Sequence, residues 1–312
     1  MLINPITPNY NNQYKPQTFT GHTIAEFYGK KGIRYLAHQT AFFREPVTLE
    51  RVKSYITKNF ADKKEINILV GACSTGEEAY SLSLLLKGLK NKVNIIGFDL
   101  SPKAIDSARK GKVLMQTSIV DSEKDTFLKD SYLVFDDKNN LSKRQQEYRT
   151  LFEDTFEPIN SKFYKFYNNI KRAFEDLNPN IGRKSRYFKL KDDKINNCRF
   201  IEGDIRELDK LDAPKQVDVL FFRNALYHLL DTVPRTEEKE EVLTKVVAGI
   251  RQKLGRDGIF VNGEDDGIQI ENEYLIPRVM RKMGFGPVNP KLEDDYYYTA
   301  SIWKKLEYVF AD

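Results

Sequence analysis

The run Gly71-Ala72-Cys73-Ser74-Thr75-Gly76-Glu77-Glu78-Ala79-Tyr80-Ser81 follows a short apolar segment (Ile66, Ile68, Val70). It leads into a helical pattern with apolar residues at Ala79, Leu82, Leu85, Leu86 and Leu89. A glycine-rich turn between a buried strand and a helix brings backbone close to a ligand and aims helix N–H groups at it. A second apolar segment, Val93 to Phe98, ends in Asp99, about 20 residues on, where nucleoside-binding α/β folds place the carboxylate that holds ribose hydroxyls. The turn is not G-x-G-x-x-G and has no lysine for a phosphate. Glu77 and Glu78 stand at the helix start, where a pyrophosphate would be repelled. A cationic, phosphate-free nucleoside such as S-adenosylmethionine suits these residues better.

A set of ordered segments carries a family resemblance. Cys73 to Ser81 resembles the first cofactor motif of the CheR-type methyltransferases, which esterify glutamate side chains of bacterial chemoreceptors with S-adenosylmethionine. Thr40-Ala41-Phe42-Phe43-Arg44-Glu45 is similar to the family's upstream T-x-F-F-R-E. Phe98-Asp99-Leu100-Ser101 followed by Ala108-Arg109-Lys110-Gly111 resembles D-I-(D/S)…A-R-x-G. Phe221-Phe222-Arg223-Asn224-Ala225-Leu226-Tyr227 resembles F-C-R-N-V-x-I-Y, and Leu254-Gly255-Arg256-Asp257-Gly258 the L-x-P-G-G turn. The likeness covers about residues 33–111 and 198–265.

The resemblance implies roles residue by residue. Thr40 and Arg44 match cofactor-binding positions, and Arg44 also suits alignment of a carboxylate through its planar fork; the plain alternative is a surface Arg paired with Glu45 or Glu50. The turn residues Gly71, Cys73, Gly76 and Glu77 contact the cofactor, with Glu77 favoured over Glu78 for the sulfonium or amino group. A solvated helix-dipole position is the alternative for both acids. Asp99 takes the ribose, with Leu100 beside it; a helix cap is the alternative for Asp99. Asp204 and Ile205 stand where relatives have Asn-Leu against the adenine. Arg223 and Asn224 close the fourth core strand, with a structural ion pair as the alternative for Arg223. Three departures stand out. His38 replaces an Asn, Asp257 replaces a glycine or similar residue, and the tyrosine expected near the transferring methyl arrives one position early. Tyr227 thus fills an apolar position and His228 the tyrosine position, so Arg44, Tyr227 and His228 are the candidates on the catalytic side.

Composition bounds the remaining possibilities. The 312 residues carry 50 Lys and Arg against 45 Asp and Glu, a net charge of +5 that fits an acidic protein partner and is too small to argue for nucleic acid alone. No run of about 20 apolar residues suggests a membrane span, and the start lacks a signal-peptide pattern, so a cytoplasmic protein is expected. Cys73 and Cys198 are the only cysteines and His22, His38 and His228 are scattered, which points to no disulfide framework and no metal.

The expected architecture is a Rossmann-like, doubly wound, mostly parallel sheet with an antiparallel final strand and a helical, charged insert. Residues 1–22 read as a disordered lead, since residues 1–20 hold three prolines, four asparagines and no acid. Residues 23–60 read as a helical segment broken near Pro46, and 61–312 as the methyltransferase domain. Ser101-Pro102 is a helix start. The tail Tyr296–Trp303 reads as a strand returning at the sheet edge. The insert, 112–197, is dense in charge and aromatics; Phe152, Phe156, Phe163, Phe166, Tyr167 and Phe174 recur near helical spacing. It reads as a helical hairpin packed on the core or as a docking element for the partner. A carboxylate acceptor is ionised at pH 7 because its pKa is about 4.3, so no catalytic base is needed. The functional expectation is methyl-ester formation on a chemoreceptor-like acidic protein. The alternatives are a changed acceptor (a small molecule or nucleic acid) and a non-catalytic cofactor-binding module.

Overall fold

Apolar segments alternating with helical patterns build one seven-stranded sheet and a smaller three-stranded one. The computed structural model describes residues 40–118, 143–159, 184–231, 236–263, 266, 275–288 and 302–307. Helix α1 (Pro46–Asn59) precedes β1 (Glu65–Gly71), α2 (Glu77–Leu85), β2 (Lys92–Asp99) and α3 (Pro102–Arg109). The insert supplies β3 (Lys112–Ser118), α4 (Lys143–Thr155), β4 (Phe156–Pro158) and β5 (Lys184–Leu190). The core resumes with β6 (Cys198–Glu202), a 3-10 turn (Ile205–Glu207), β7 (Val217–Phe221) and α5 (Leu226–Asp231). It ends with α6 (Thr236–Lys253), β8 (Leu254–Val261), α7 (Leu275–Lys282), β9 (Phe285–Pro287) and β10 (Ile302–Lys305).

The main sheet runs β6-β2-β1-β7-β8-β10-β9. The first five are parallel, and β10 is antiparallel to both neighbours. The order reverses between β1 and β7, and ligands of doubly wound sheets bind beyond the carboxyl ends of strands at such a switch. Both central strands are buried on two faces, which explains their nearly continuous apolar sequences. Leu49, Val52, Ile56, Leu82 and Ile105 from α1 to α3 share one apolar cluster; Leu243, Val247, Ile250 and Val279 from α6 and α7 share the other. At α3, Ser101 Oγ accepts from Ala104 N–H (3.3 Å) and Pro102 opens the helix, as the Ser-Pro pair predicts.

Three expectations change. Residues 40–45 of the predicted helical segment are a loop, and α1 begins at Pro46; residues 1–39 lie outside the described set. The final strand lies inside the sheet, between β8 and β9. Trp303 explains this, because its ring is fully buried and its Nε1–H donates to Asn262 Oδ1 (2.9 Å). The insert is not a helical hairpin in its described parts: β3, β5 and β4 form an antiparallel sheet beside α4. Phe152 and Phe156 are buried in the core, so neither is an anchor for a partner. Phe152 meets Phe42 edge-on at 4.9 Å and stacks on Phe156 at 4.9 Å, while Tyr148 stacks on Phe43 at 4.2 Å. Phe163, Phe166, Tyr167 and Phe174 lie outside the described residues. The insert thus holds the 40–45 loop from behind.

Candidate functional site

Five loops meet at the carboxyl edge of the sheet: residues 40–45, the turn after β1, and the exits of β2, β7 and β8. Their backbone is strained in one respect. Phe43, Glu45, Ala72, Ser74 and Asn224 all hold φ between 49° and 52°, a left-handed conformation that costs a non-glycine residue about 1 kcal/mol or more. Such residues persist where surrounding contacts over-determine them, and here the contacts are visible.

Asp99 ties two loops together. Its Oδ2 accepts from Ser74 N–H (2.8 Å) and its Oδ1 from Ser101 N–H (2.9 Å). The cap of α3 is Ser101 itself, so Asp99 fixes the β1 turn against the β2 exit. Next to it Leu100 is 45% exposed, one of two large apolar side chains so exposed among the described residues. Gly76 caps α2 at φ 96°. Gly71 serves packing: a Cβ there would lie 2.4 Å from the Phe98 ring and 2.7 Å from that of Phe222. Cys73 is buried and its thiol is pushed far above the usual range by burial and then by the Asp99, Glu77 and Glu78 carboxylates, so no thiolate forms.

Glu77 is 2% exposed. Thr75 Oγ1 lies 2.7 Å from both its carboxylate oxygens, and the Thr40 hydroxyl also donates to it. Burial outweighs these bonds and pushes the carboxyl up to about 7. Glu78 turns instead to Arg223, whose guanidinium is 3% exposed, with Nε 2.9 Å from Glu78 Oε1. Arg223 Nη2 donates to the Arg44 carbonyl (2.8 Å) and lies 3.6 Å from Glu45 Oε1. Arg44 Nε is 3.9 Å from the same Glu45 oxygen. Asn224 Nδ2 donates to Glu45 Oε1 (2.7 Å). The 40–45 loop is thereby locked onto the β7 exit, with Glu45 at the centre.

Asp204 caps the 3-10 turn, accepting from Arg206 N–H (2.9 Å) and pairing with its guanidinium, while Ile205 packs into the core. The Tyr227 ring is mostly buried, 3.9 Å centroid to centroid from the His228 ring. His38 lies outside the described residues. Sequence reasoning missed Glu45, although it ends the quoted T-x-F-F-R-E motif, and the ion-paired use of Glu78. It also missed Asp266, whose only signal is an acid-rich stretch just past β8.

The edge fits a cationic nucleoside. Glu45, Glu77, Glu78 and Asp99 outnumber Arg44 and Arg223, so the local field favours a cation. Among the described residues, Ser74 Oγ and Glu45 Oε2 are buried polar atoms without a hydrogen-bond partner, and both lie on this edge. Unpaired buried polar groups cost about 1–3 kcal/mol, so a ligand that supplies their partners gains that much. Neither group of three or more metal-ligating side chains nor a helix able to cross a membrane occurs among the described residues.

A pH dependence follows from Glu77. Its carboxyl titrates near 7 in the fold and near about 4.3 when unfolded. Between those values the folded state holds the extra proton, so this group's contribution to stability falls as pH rises from about 4.5 to 7. Glu77→Gln is expected to raise the melting temperature of the ligand-free protein at pH 8, by a few degrees on the order of ~1 kcal/mol, and to flatten the profile below pH 7. Asp266, also pushed up to about 7 by burial, keeps its own share. A melting curve series from pH 5 to 8 checks this; an unchanged profile would mean Glu77 is ionised throughout.

Comparison with known proteins agrees with the geometry. Residues 38–155 match the family model described as CheR methyltransferase, SAM binding domain. Two Campylobacter jejuni proteins, each named chemotaxis protein methyltransferase, are 29% identical over 191 residues, covering 59% of this chain and 66% of theirs. The match thus spans just under two thirds of those relatives. A TehB-like SAM-dependent methyltransferase from Corynebacterium glutamicum aligns with 83% of this chain and 97% of its own, at 12% identity and a TM-score of 0.34. The site residues after β6 and β7 fall beyond the matched family segment. From residue 38 to 155 the chain is similar to a CheR-type SAM-binding domain, and the cofactor is S-adenosylmethionine.

Proposed function

We propose that the protein is a methyltransferase that forms methyl esters on carboxylates of an acidic protein partner of the chemoreceptor kind. The observation that carries this reading is the lock between the 40–45 loop and the β7 exit, through Asn224–Glu45 and Arg223–Arg44. It joins the segments that the resemblance assigns to the cofactor and to the acceptor in one site. The relatives' names support the acceptor class. Bound cofactor supplies an activated methyl on a sulfonium, an excellent leaving group. The chain's residues then have three tasks: to hold the cofactor, to align the acceptor and to exclude water. Thr40, Glu77, Asp99 and Asn224 hold; Arg44 aligns a carboxylate; Tyr227 and His228 border the acceptor side. A carboxylate acceptor needs no proton removed at pH 7, in keeping with the inert Cys73.

The Tyr227–His228 arrangement favours a second reading, a methyltransferase with a changed acceptor, because Tyr227 is drawn into the core rather than left at the family's tyrosine position. Incubation with methyl-labelled cofactor and a lysate of the source cells separates the two. Label released as methanol by alkali supports the ester. Alkali-stable label assigns a changed acceptor, and bound cofactor without transfer leaves a binding module. Arg44→Lys keeps the charge but not the fork. It is expected to lower kcat by about tenfold or more, about 1.4 kcal/mol, with the melting temperature little changed; normal turnover would return Arg44 to a surface role.

A further inference from the structure

Asp266 is fully buried, and every contact its carboxylate makes in the described structure is with a backbone donor. Oδ2 accepts from Asn224 N–H (2.9 Å) and Gly263 N–H (2.9 Å). Oδ1 accepts from Leu226 N–H (2.9 Å) and, at the longer distance of 3.4 Å, from Tyr227 N–H. The donors come from the exits of β7 and β8 and from the first turn of α5, and include the backbone of Asn224 and Tyr227. Gly263 adds a steric constraint: a Cβ there would lie 1.9 Å from Asn224 Oδ1. Asn224 itself is left-handed at φ 52°, and its side chain reaches Glu45. Two carboxylates, of Asp266 and Glu45, and one bare Cα at Gly263 therefore set the position of Asn224 together.

We propose that Asp266 is a positioning residue for the cofactor and acceptor side of the site, acting through Asn224 and the start of α5, which carries Tyr227 and His228. The role rests on the methyltransferase reading of this edge. The cradle donates to both oxygens, so only a carboxylate satisfies it. An asparagine there has the same shape but must turn its NH2 against one pair of N–H donors. Its cost falls on the Asn224–Gly263 contact or on the Leu226–Tyr227 contact, both of which shape the same turn. A merely structural acid would weaken the whole fold; a positioning acid loosens this turn first.

The test uses the full chain and S-adenosylhomocysteine, the demethylated product, as the calorimetric probe. Asp266→Asn and Asn224→Ala are each expected to weaken binding by about tenfold, and the double variant by no more than about twofold beyond the weaker single, because groups that act through one another are not additive. Additive losses would overturn the proposal. Hydrogen exchange of the ligand-free proteins gives the second readout. Asp266→Asn should speed exchange in the segment from Arg223 to His228 and leave β1 unchanged; uniform acceleration across the sheet would reduce Asp266 to a stability role and overturn the proposal. If Asp266→Asn does not fold, Gly263→Ala decides instead, since its Cβ displaces both the Asn224 side chain and the Asn224 N–H that Asp266 holds. It should reproduce the tenfold loss in a folded protein, and affinity within twofold of wild type would overturn the proposal. Wild-type protein that fails to bind S-adenosylhomocysteine would sink the reading of the site as well, whereas wild-type binding with unaffected variants sinks only the role of Asp266.

Discussion

Replacing Arg223 by alanine is expected to lower folding stability by about 3–5 kcal/mol, the range for breaking a buried ion pair by removing one partner. The guanidinium is 3% exposed and stands between Glu78 and Glu45. Without it, two largely buried carboxylates face each other with less compensation, and the Arg44 carbonyl loses its donor. Burial already raises the Glu78 carboxyl, with Arg223 as the first opposing influence and Glu45 reinforcing the rise. The loss should therefore be partly relieved by adding Glu78→Gln, which removes a stranded charge. Denaturant unfolding at neutral pH measures both variants. A loss below about 1 kcal/mol for Arg223→Ala would place the pair in the solvent-screened class of surface bridges.

Asp99→Ala should weaken cofactor affinity by about tenfold or more, because hydrogen bonds to charged groups contribute about 1.5–3 kcal/mol. Two effects combine in this loss. On the proposed role of Asp99 the ribose loses its carboxylate, and the turn after β1 loses the bond from Ser74 N–H that holds it against the β2 exit. Ser74 is left-handed at φ 49°, so the loop has reason to relax once released. The loss should be the same for S-adenosylmethionine and S-adenosylhomocysteine, whose ribose is common. A loss confined to the charged cofactor would place Asp99 near the sulfonium instead. Asp99→Asn should recover little, since a carboxamide cannot accept from both Ser74 and Ser101 N–H groups with both of its ends.

What the sequence revealed was local. A strand, a turn and a helix within residues 65–85, an acid at the end of the next strand, and a Ser-Pro helix start all depend on neighbours in the chain. These are patterns of period and capping, and they placed β1, α2, β2 and the start of α3 correctly in the fold. What it hid depends on contacts far apart. Asp266 meets Asn224 across 42 positions, and Glu45 meets it across 179. No spacing rule announces such bonds. Strand β10 reads alone as an edge strand; only its pairing with β9 puts Trp303 inside. The insert's aromatics have helical spacing from 152 to 156, yet the chain changes from helix to strand at Phe156, because β4 pairs with β5. Leu254–Gly258 reads as a turn but forms the irregular start of β8, where pairing with β7 shifts register.

The carboxyl edge between β1 and β7 is the proposed site for a cationic, phosphate-free nucleoside. Calorimetric titration of the full-length protein with S-adenosylmethionine, S-adenosylhomocysteine and, in parallel, NAD and ATP tests this most directly. One-to-one binding of the first two at micromolar concentrations, lost together in Asp99→Ala and absent for both phosphorylated nucleotides, is the predicted result. Binding of NAD or ATP at this edge, or failure of both adenosyl compounds to bind a folded protein, would contradict it.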